Sequence, residues 1–376
     1  MKEVTVVGAG FAALTAARKL RENQKDLEIT LVAPKPEFVY MPSLIWIPSG
    51  RRSASDITMP LERFFSKYDI NYHQGYATGL EDSGRTLVTT TGRIKNDVIL
   101  IASGGSFLKK LPGIEHAFTP CEGISATVAI KDRLNALKGG TIAMGFAGNP
   151  KEASAIRGAP MFEFLFGIDT HLRKEKRRDK FKLVFFTPVE VPGFHLGPKA
   201  VDTLRKEMDK RDIQTHIGYK LTKFTENSVV TEGGEFLADL ILFMPGMTGH
   251  QWFDNTQLPR SSGGMILGNK HCRVEGWDKV YVTGDSGSLP GPDGWKPRQA
   301  HMAVLQSTAA AANMLLELNG EPPSHTFRNE MICIIDSNDS GMFVARNDKR
   351  RLVFRYSILF HWMKRSYEWW YLRQFR

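Results

Sequence analysis

The chain contains part of itself twice. Thr86 to Gly105 aligns without a gap on Ser228 to Met247, 142 positions later, and seven of the twenty residues are identical: Val88/Val230, Thr89/Thr231, Gly92/Gly234, Asp97/Asp239, Ile99/Ile241, Leu100/Leu242 and Gly104/Gly246. Each copy reads as a hairpin strand, a turn and an apolar strand, Val98 to Ala102 or Leu240 to Met244, ending on a glycine where the chain leaves a sheet. The duplication extends upstream. Val4-Thr-Val-Val-Gly-Ala-Gly10 predicts a strand, a tight turn and a helix from Phe11 to Leu20, with the next strand at Leu27 to Ala33. Thr141-Ile-Ala-Met-Gly-Phe-Ala-Gly148 repeats strand and glycine turn about 137 positions later.

Two copies of a βαβ-plus-meander unit predict an α/β fold of two tandem Rossmann-like, FAD/NAD(P)-binding three-layer domains. A further strand, Val280-Tyr-Val-Thr-Gly-Asp285, leads into an Ala-rich helix from His301 to Leu318. The expected division is a discontinuous first domain over 1–110 and 270–325, a second over 111–269, and a tail over 326–376. The length of 376 residues and 42% hydrophobic content suffice for two cores. Net charge is +10, but Arg346 to Arg376 alone holds nine basic and two acidic residues, so the rest of the chain is nearly neutral. That distribution argues against a nucleic-acid partner and for one cationic surface at the C-terminus. Cys121, Cys272 and Cys333 are too few and too scattered for a disulfide framework or a metal site. No cleavable export signal and no spanning apolar run is expected.

Gly8-Ala-Gly10-Phe11-Ala-Ala13 is a GxGxxA turn. Its first glycine permits the turn, its second admits a pyrophosphate to the backbone, and Ala13 lets helix and strand touch, which makes Gly8, Gly10, Phe11 and Ala13 candidate cofactor contacts. The acidic ribose ligand expected about twenty residues on is missing, since strand two ends Ala33-Pro34-Lys35. The second turn, Gly145-Phe-Ala-Gly148-Asn-Pro150, is not GxGxxG, and Pro150 lacks the amide a phosphate would use, which argues against a nicotinamide reductant.

In that order, Gly8/Gly10, Ile101-Ala-Ser103-Gly104 and Tyr281-Val-Thr-Gly284-Asp285 resemble flavoproteins with two dinucleotide-binding domains. The resemblance is strongest to sulfide:quinone oxidoreductases and covers nearly the whole chain. It is carried by Phe38-Val-Tyr-Met-Pro42 with Trp46, Cys121-Glu-Gly, Gly158-Ala-Pro-Met-Phe-Glu163, Gly193-Phe-His195-Leu-Gly197, Lys296-Pro-Arg298, Ile332-Cys333-Ile-Ile-Asp336 and an aromatic tail. It implies a bound FAD oriented by Asp285, with Pro42, Ser103, Gly104, Gly284, Lys296 and Arg298 nearby. It also implies oxidation of sulfide, or a related sulfur compound, to zero-valent sulfur at cysteines, with quinone as acceptor. The family's middle cysteine is absent; Ala153-Ser-Ala-Ile-Arg157 stands in that region. Cys121 and Cys333 therefore form the working pair, or Cys121 tethers the flavin, or the donor is not sulfide.

Only a thiolate is a competent nucleophile, so the sulfur sites need tuning. Glu163, in the apolar stretch Met161 to Phe166, reads as a buried acid with a raised pKa that handles protons, and His195 as a base. Cys272, in a polar loop, reads as a structural residue. Lys296 and Arg298 are expected to bring positive charge to a reduced flavin. Leu352, Tyr356, Leu359, Phe360, Met363, Tyr367, Trp370 and Tyr371 predict one apolar face of a helical tail, opposite Arg355, Lys364, Arg365 and Arg373. The expectation is a peripheral membrane protein on the cytoplasmic face, with homo-oligomer formation open. The basic run Arg173 to Lys182 reads as a solvated turn. An NADH:quinone oxidoreductase and a non-catalytic flavin-binding membrane protein are the alternatives.

Overall fold

The structure is a computed structural model that describes residues 1–291 and 296–376. Its first sheet is parallel throughout, in the order Val280–Val282, Val98–Ile101, Lys2–Val7, Leu27–Ala33, Asn71–Gln74. Helices Phe11–Asn23 and Ala300–Leu318 pack on each other against it, and the antiparallel meander Ala77–Glu81, Thr86–Thr89, Gly92–Lys95 completes this half. A parallel sheet covered by other elements reads as a continuous apolar run. All four residues of Val98–Ile101 are accordingly buried, as are Val4, Val6 and Val7.

The second half repeats this plan. Ile213–Ile217, Phe181–Thr187, Gly140–Phe146 and Leu240–Met244 form a parallel sheet, and Leu221–Phe224, Ser228–Thr231, Gly234–Leu237 form its meander. The identities between the copies have a structural cause. Asp97 Oδ2 accepts from the Glu3 amide at 2.8 Å, and Asp239 Oδ2 accepts from the Thr141 amide at 2.8 Å, so each aspartate anchors the first strand of its own half. Thr89 Oγ1 donates to Gly92 O at 2.8 Å and Thr231 Oγ1 to Gly234 O at 3.0 Å across the two equivalent hairpin turns.

The tail differs from the helical segment expected. Glu330–Asp336, Gly341–Asn347 and Arg351–Ser357 form an antiparallel sheet, and only Ile358–Leu372 is helical, so Leu352 and Tyr356 lie on a strand. Arg173 to Lys182 is not simply solvated either. Arg173, Arg178 and Arg211 converge on the buried Asp169 at 2.9, 2.6 and 2.9 Å, so the run ties its helix and turn to an enclosed carboxylate that takes three charge-assisted hydrogen bonds. No described helix is long and apolar enough to cross a membrane.

Candidate functional site

The first glycine turn lies in the crevice at the carboxyl end of the first sheet. Gly8 has φ +119°, and a Cβ there would lie 2.4 Å from the Ala102 carbonyl oxygen, so this position accepts glycine alone. Nothing lies within 4 Å of where a Gly10 Cβ would be, and no side chain caps the helix that starts at Phe11. The first-turn amides thus have no side-chain partner and the turn leaves room beside Gly10, the arrangement that receives a phosphate. Ala13 is fully buried against the sheet, as its spacing predicts, whereas the Phe11 ring turns away into an aromatic cluster with Phe38 and Tyr371, each at 5.0 Å, leaving only its amide for a ligand.

Across the crevice, Ser286 Oγ donates to Gly104 O at 2.9 Å and lies 3.4 Å from Ser103 Oγ, while the Gly284 amide donates to Gln306 Oε1 at 2.8 Å. Gly104, at φ +81°, also has open space at its Cβ position. Two glycines that leave room beside an uncapped helix N-terminus, with Asp285 at the far end, fit the pyrophosphate and ribityl parts of an FAD.

Lys296 and Arg298 line one cavity with Gly284 and Asp285. Lys296 Nζ donates to Ser288 Oγ at 2.9 Å, and Arg298 binds Ser154 O at 3.3 Å, Gly287 O at 3.2 Å and Glu152 at 3.4 Å. Both hold loops together, because a buried guanidinium binds whatever carbonyls and carboxylates surround it. The Asp285 carboxylate pairs with Arg157, whose charge also acts on Cys121.

Cys121 and Cys333 are both free and partly exposed, whereas Cys272 is fully buried beneath Gln306. Cys121 follows Pro120 in a short 3-10 turn, and Cys333 lies on the strand Glu330–Asp336. Glu163 acts electrostatically on both thiols, raising the pKa of each. Burial pushes Cys121 up to about 11, against the lowering effect of Arg157, and pushes Cys333 up to about 12.

Glu163 is at the centre. It sits near the start of the largely buried helix Ala159–Lys174, its Oε1 accepts from the Asp336 amide at 3.0 Å, and Lys364 reaches it from the tail helix. Burial raises its pKa to about 7, although Lys364 opposes the shift. Asp336 continues the network. Its Oδ1 accepts from Trp46 Nε1 at 3.1 Å and its Oδ2 lies 2.7 Å from His361 Nδ1. Burial alone would raise Asp336, but the His361 hydrogen bond and the Lys364 charge hold it below the ordinary value. Pro42 opens the 3-10 helix Met41–Trp46 that carries Trp46 and packs against the Cys121 turn.

His195 stands apart from this network. Its carbonyl is held by Arg346 at 2.7 Å, and burial lowers the pKa of its ring. Lys364, assigned by helical spacing to the solvated face of the tail, points inward. The residues that the sequence missed are Arg157, Lys364 and His361. Arg157 was marked by its place where a cysteine is expected, but nothing in the local pattern pairs Lys364 with Glu163, 201 positions away.

The pattern of a pyridine nucleotide-disulphide oxidoreductase matches residues 2–307. The chain belongs to that family. It is 23% identical to the sulfide-quinone reductase of Aquifex aeolicus, over 100% of this chain and 91% of that protein, and 25% identical to the type II NADH:quinone oxidoreductase of Staphylococcus aureus, over 85% of this chain and 83% of that one. Among solved structures, the sulfide:quinone oxidoreductase of Aquifex aeolicus superposes with a TM-score of 0.92 at 21% identity, covering 100% of this chain and 92% of the other. The NADH complex of NDH2 from Plasmodium falciparum gives 0.74 at 13% identity, covering 97% and 94%. Both confirm the two-domain dinucleotide-binding fold.

Proposed function

We propose that the chain is an FAD-dependent oxidoreductase that oxidises sulfide, or a related low-valent sulfur compound, to zero-valent sulfur or polysulfide and delivers the electrons to membrane quinone. One observation carries this reading: the buried Glu163 accepts from the amide of Asp336, on the strand that bears Cys333, and is reached by Lys364 from the aromatic tail helix. A sulfur-handling centre and a lipid-facing surface thus meet at one buried acid. FAD, when bound, supplies two-electron chemistry between donor and acceptor. The backbone of Gly8, Gly10 and Phe11 would hold its pyrophosphate, with Ala13 packing the helix onto the strand behind them, and Ser103, Gly104, Gly284 and Asp285 its ribityl end, within a first domain of 1–110 and 270–325.

Cys121 and Cys333 are the sulfur-binding residues of this reading. Each must lose a proton to attack or carry sulfur. Glu163, poised near neutrality, can take up that proton or pass one on toward a reduced acceptor. His195 lies outside this exchange.

The acceptor enters at the tail. Ile358, Leu359, Trp362, Met363, Tyr367, Trp369 and Trp370 are exposed, while His361 and Glu368 are buried, so the helix turns its charge inward and its aromatic face out. Such a helix is suited to a membrane interface, and the surrounding arginines favour anionic lipid. The stacked rings of Phe343 and Phe360 continue this apolar surface beside Cys333's sheet. Membrane attachment on the cytoplasmic face completes the reading.

Anaerobic titration with sulfide should bleach the visible flavin absorbance of the purified protein. Bleaching by NADH and not by sulfide would select the NADH:quinone alternative. An inert flavin, unaffected by Cys333→Ser, would select the non-catalytic one. The second glycine turn disfavours the nicotinamide: the strand runs on to Phe146, and the next helix begins only at Ala159, where Pro160 removes an amide.

A further inference from the structure

The tail helix Ile358–Leu372 turns its two faces to different surroundings. Its inner face is tied down at every turn. His361 Nδ1 lies 2.7 Å from Asp336 Oδ2, Lys364 pairs with Glu163, and the Glu368 carboxylate accepts from Arg52 Nε at 3.1 and 3.0 Å. Its last turn reaches the flavin crevice. The centre of the Tyr371 ring lies 5.0 Å from that of Phe11, 5.6 Å from Tyr40 and 5.9 Å from Phe38, and just past the helix Gln374 accepts from Arg18. Phe11 is the first residue of the uncapped helix Phe11–Asn23, so the ring that Tyr371 touches and an amide left without a side-chain partner belong to one residue.

The outer face is aromatic and cationic. Trp362, Trp369 and Trp370 are 53%, 55% and 56% exposed, and Arg365 and Arg373 lie 4.7 and 5.4 Å from the rings of Trp362 and Trp369. Indoles paired with cations match an anionic lipid interface, which offers apolar depth beneath negative headgroups. Rings also join the two faces: Trp370 and Tyr367, both exposed, lie 6.5 and 6.2 Å from the buried Tyr371.

We propose that Tyr371 is a positioning residue of the flavin site: it seats Phe11, whose backbone borders the phosphate turn, and it couples that turn to an anionic lipid surface on which the same helix rests. This rests on the reading of the tail as membrane-facing and of the first turn as the phosphate cradle. The coupling is reciprocal. Lipid that holds the helix tightens the flavin, and flavin tightens the hold on lipid.

Release of FAD from the dilute holoprotein is followed as the rise in flavin fluorescence, with and without vesicles of phosphatidylglycerol and phosphatidylcholine whose binding is checked by co-sedimentation. Vesicles should slow release from the natural protein by about three- to tenfold, the range of one aromatic contact. Tyr371→Leu should speed lipid-free release by about the same factor and lose the vesicle effect, whereas Tyr371→Phe keeps the ring and should retain both. Phe375→Leu loosens the same end of the tail through Phe38 and Phe64, at 5.0 and 5.6 Å, one ring removed from Phe11, and should change release by less than about twofold. Hydrogen exchange of the peptide spanning Gly8 to Leu14 should follow the same order, and it reads the turn directly even where the flavin is held covalently. If Tyr371→Leu does not fold, the natural protein with and without vesicles decides. Vesicles that sediment with the protein but slow neither release nor exchange overturn the inference. So does a Tyr371→Leu variant that behaves like the natural protein, or a Phe375→Leu effect as large as that of Tyr371→Leu. Vesicles that never bind remove the membrane reading and the inference with it. Neither readout involves turnover, so a failed sulfide titration and a failed coupling are separate results.

Discussion

The two halves of the molecule share their strands, their meanders and an anchoring aspartate, yet part company where the first strand of each ends. In the first half the chain turns at Gly8 and enters a helix at once, leaving that helix's amides open. In the second half Gly145 is no turn residue. It pairs inside the sheet with Phe186 and Phe243, and a Cβ on it would lie 2.2 Å from the Phe186 carbonyl oxygen. Residues 147–158 then loop out before the helix begins, and this loop supplies Arg157, while the helix itself supplies the buried Glu163. One copy keeps a tight, uncapped strand-to-helix turn; the other replaces it with a longer loop and a helix that carry Arg157 and Glu163. A duplicated scaffold constrains strands and anchors because their spacing is shared, but leaves the strand-to-helix connection free to change.

That contrast can be broken at several points. Gly8→Val should have the largest effect, about 4 kcal/mol of stability from overpacking and a strained backbone together, with loss of the visible flavin absorbance on purification. Retention of a normal flavin-to-protein ratio would show that the first turn is not a cradle.

Next is the acid of the second half. Lys364→Met leaves Glu163 buried without its cation and is expected to cost about 3 kcal/mol at pH 8 in urea unfolding. Because the folded-state pKa of Glu163 is raised from 4.5 to about 7, its contribution to stability is fully present below pH 4.5 and is lost as pH rises through about 7. The cost of Lys364→Met should therefore shrink toward pH 5, and Glu163→Gln should remove that part of the pH dependence. A cost independent of pH would mean that Glu163 does not titrate there.

The shared anchors sharpen the comparison from the other side. Asp97→Asn and Asp239→Asn should each lose about 1 kcal/mol, because each exchanges the charged acceptor of a backbone amide for a neutral one at an equivalent position. Clearly unequal losses in denaturant melts would show that the copies no longer carry the same load. Gly148→Ala should have the smallest effect, within about 0.5 kcal/mol and with normal flavin content, since the nearest atom to its Cβ position is a methyl of Ile156 at 3.6 Å. Loss of flavin in that variant would restore a ligand role to the second turn.

Much of this architecture was legible before any coordinates. The alignment of Thr86–Gly105 on Ser228–Met247 marked the hairpin of each meander and both inner strands, because period-two burial and turn glycines are local signals, while the first meander strands, Ala77–Glu81 and Leu221–Phe224, lie outside it. The GxGxxA turn likewise exposed its own chemistry, since Gly8 and Gly10 act through their own backbone. Cys121, Cys333 and Glu163 could be named singly, and Glu163 could be recognised as buried from its apolar neighbours. The tail was half legible. Its aromatic content was plain, but helical spacing placed Lys364 outward and extended the helix over a strand.

What the chain determined alone was therefore the set of local conformations: where strands run, where only glycine fits, and where a helix begins. Which distant charges meet was decided by tertiary packing. Lys364 is buried against Glu163, and Arg157 pairs with Asp285, because a low-dielectric interior forces each enclosed charge to find a partner among whatever the fold brings near, irrespective of separation along the sequence.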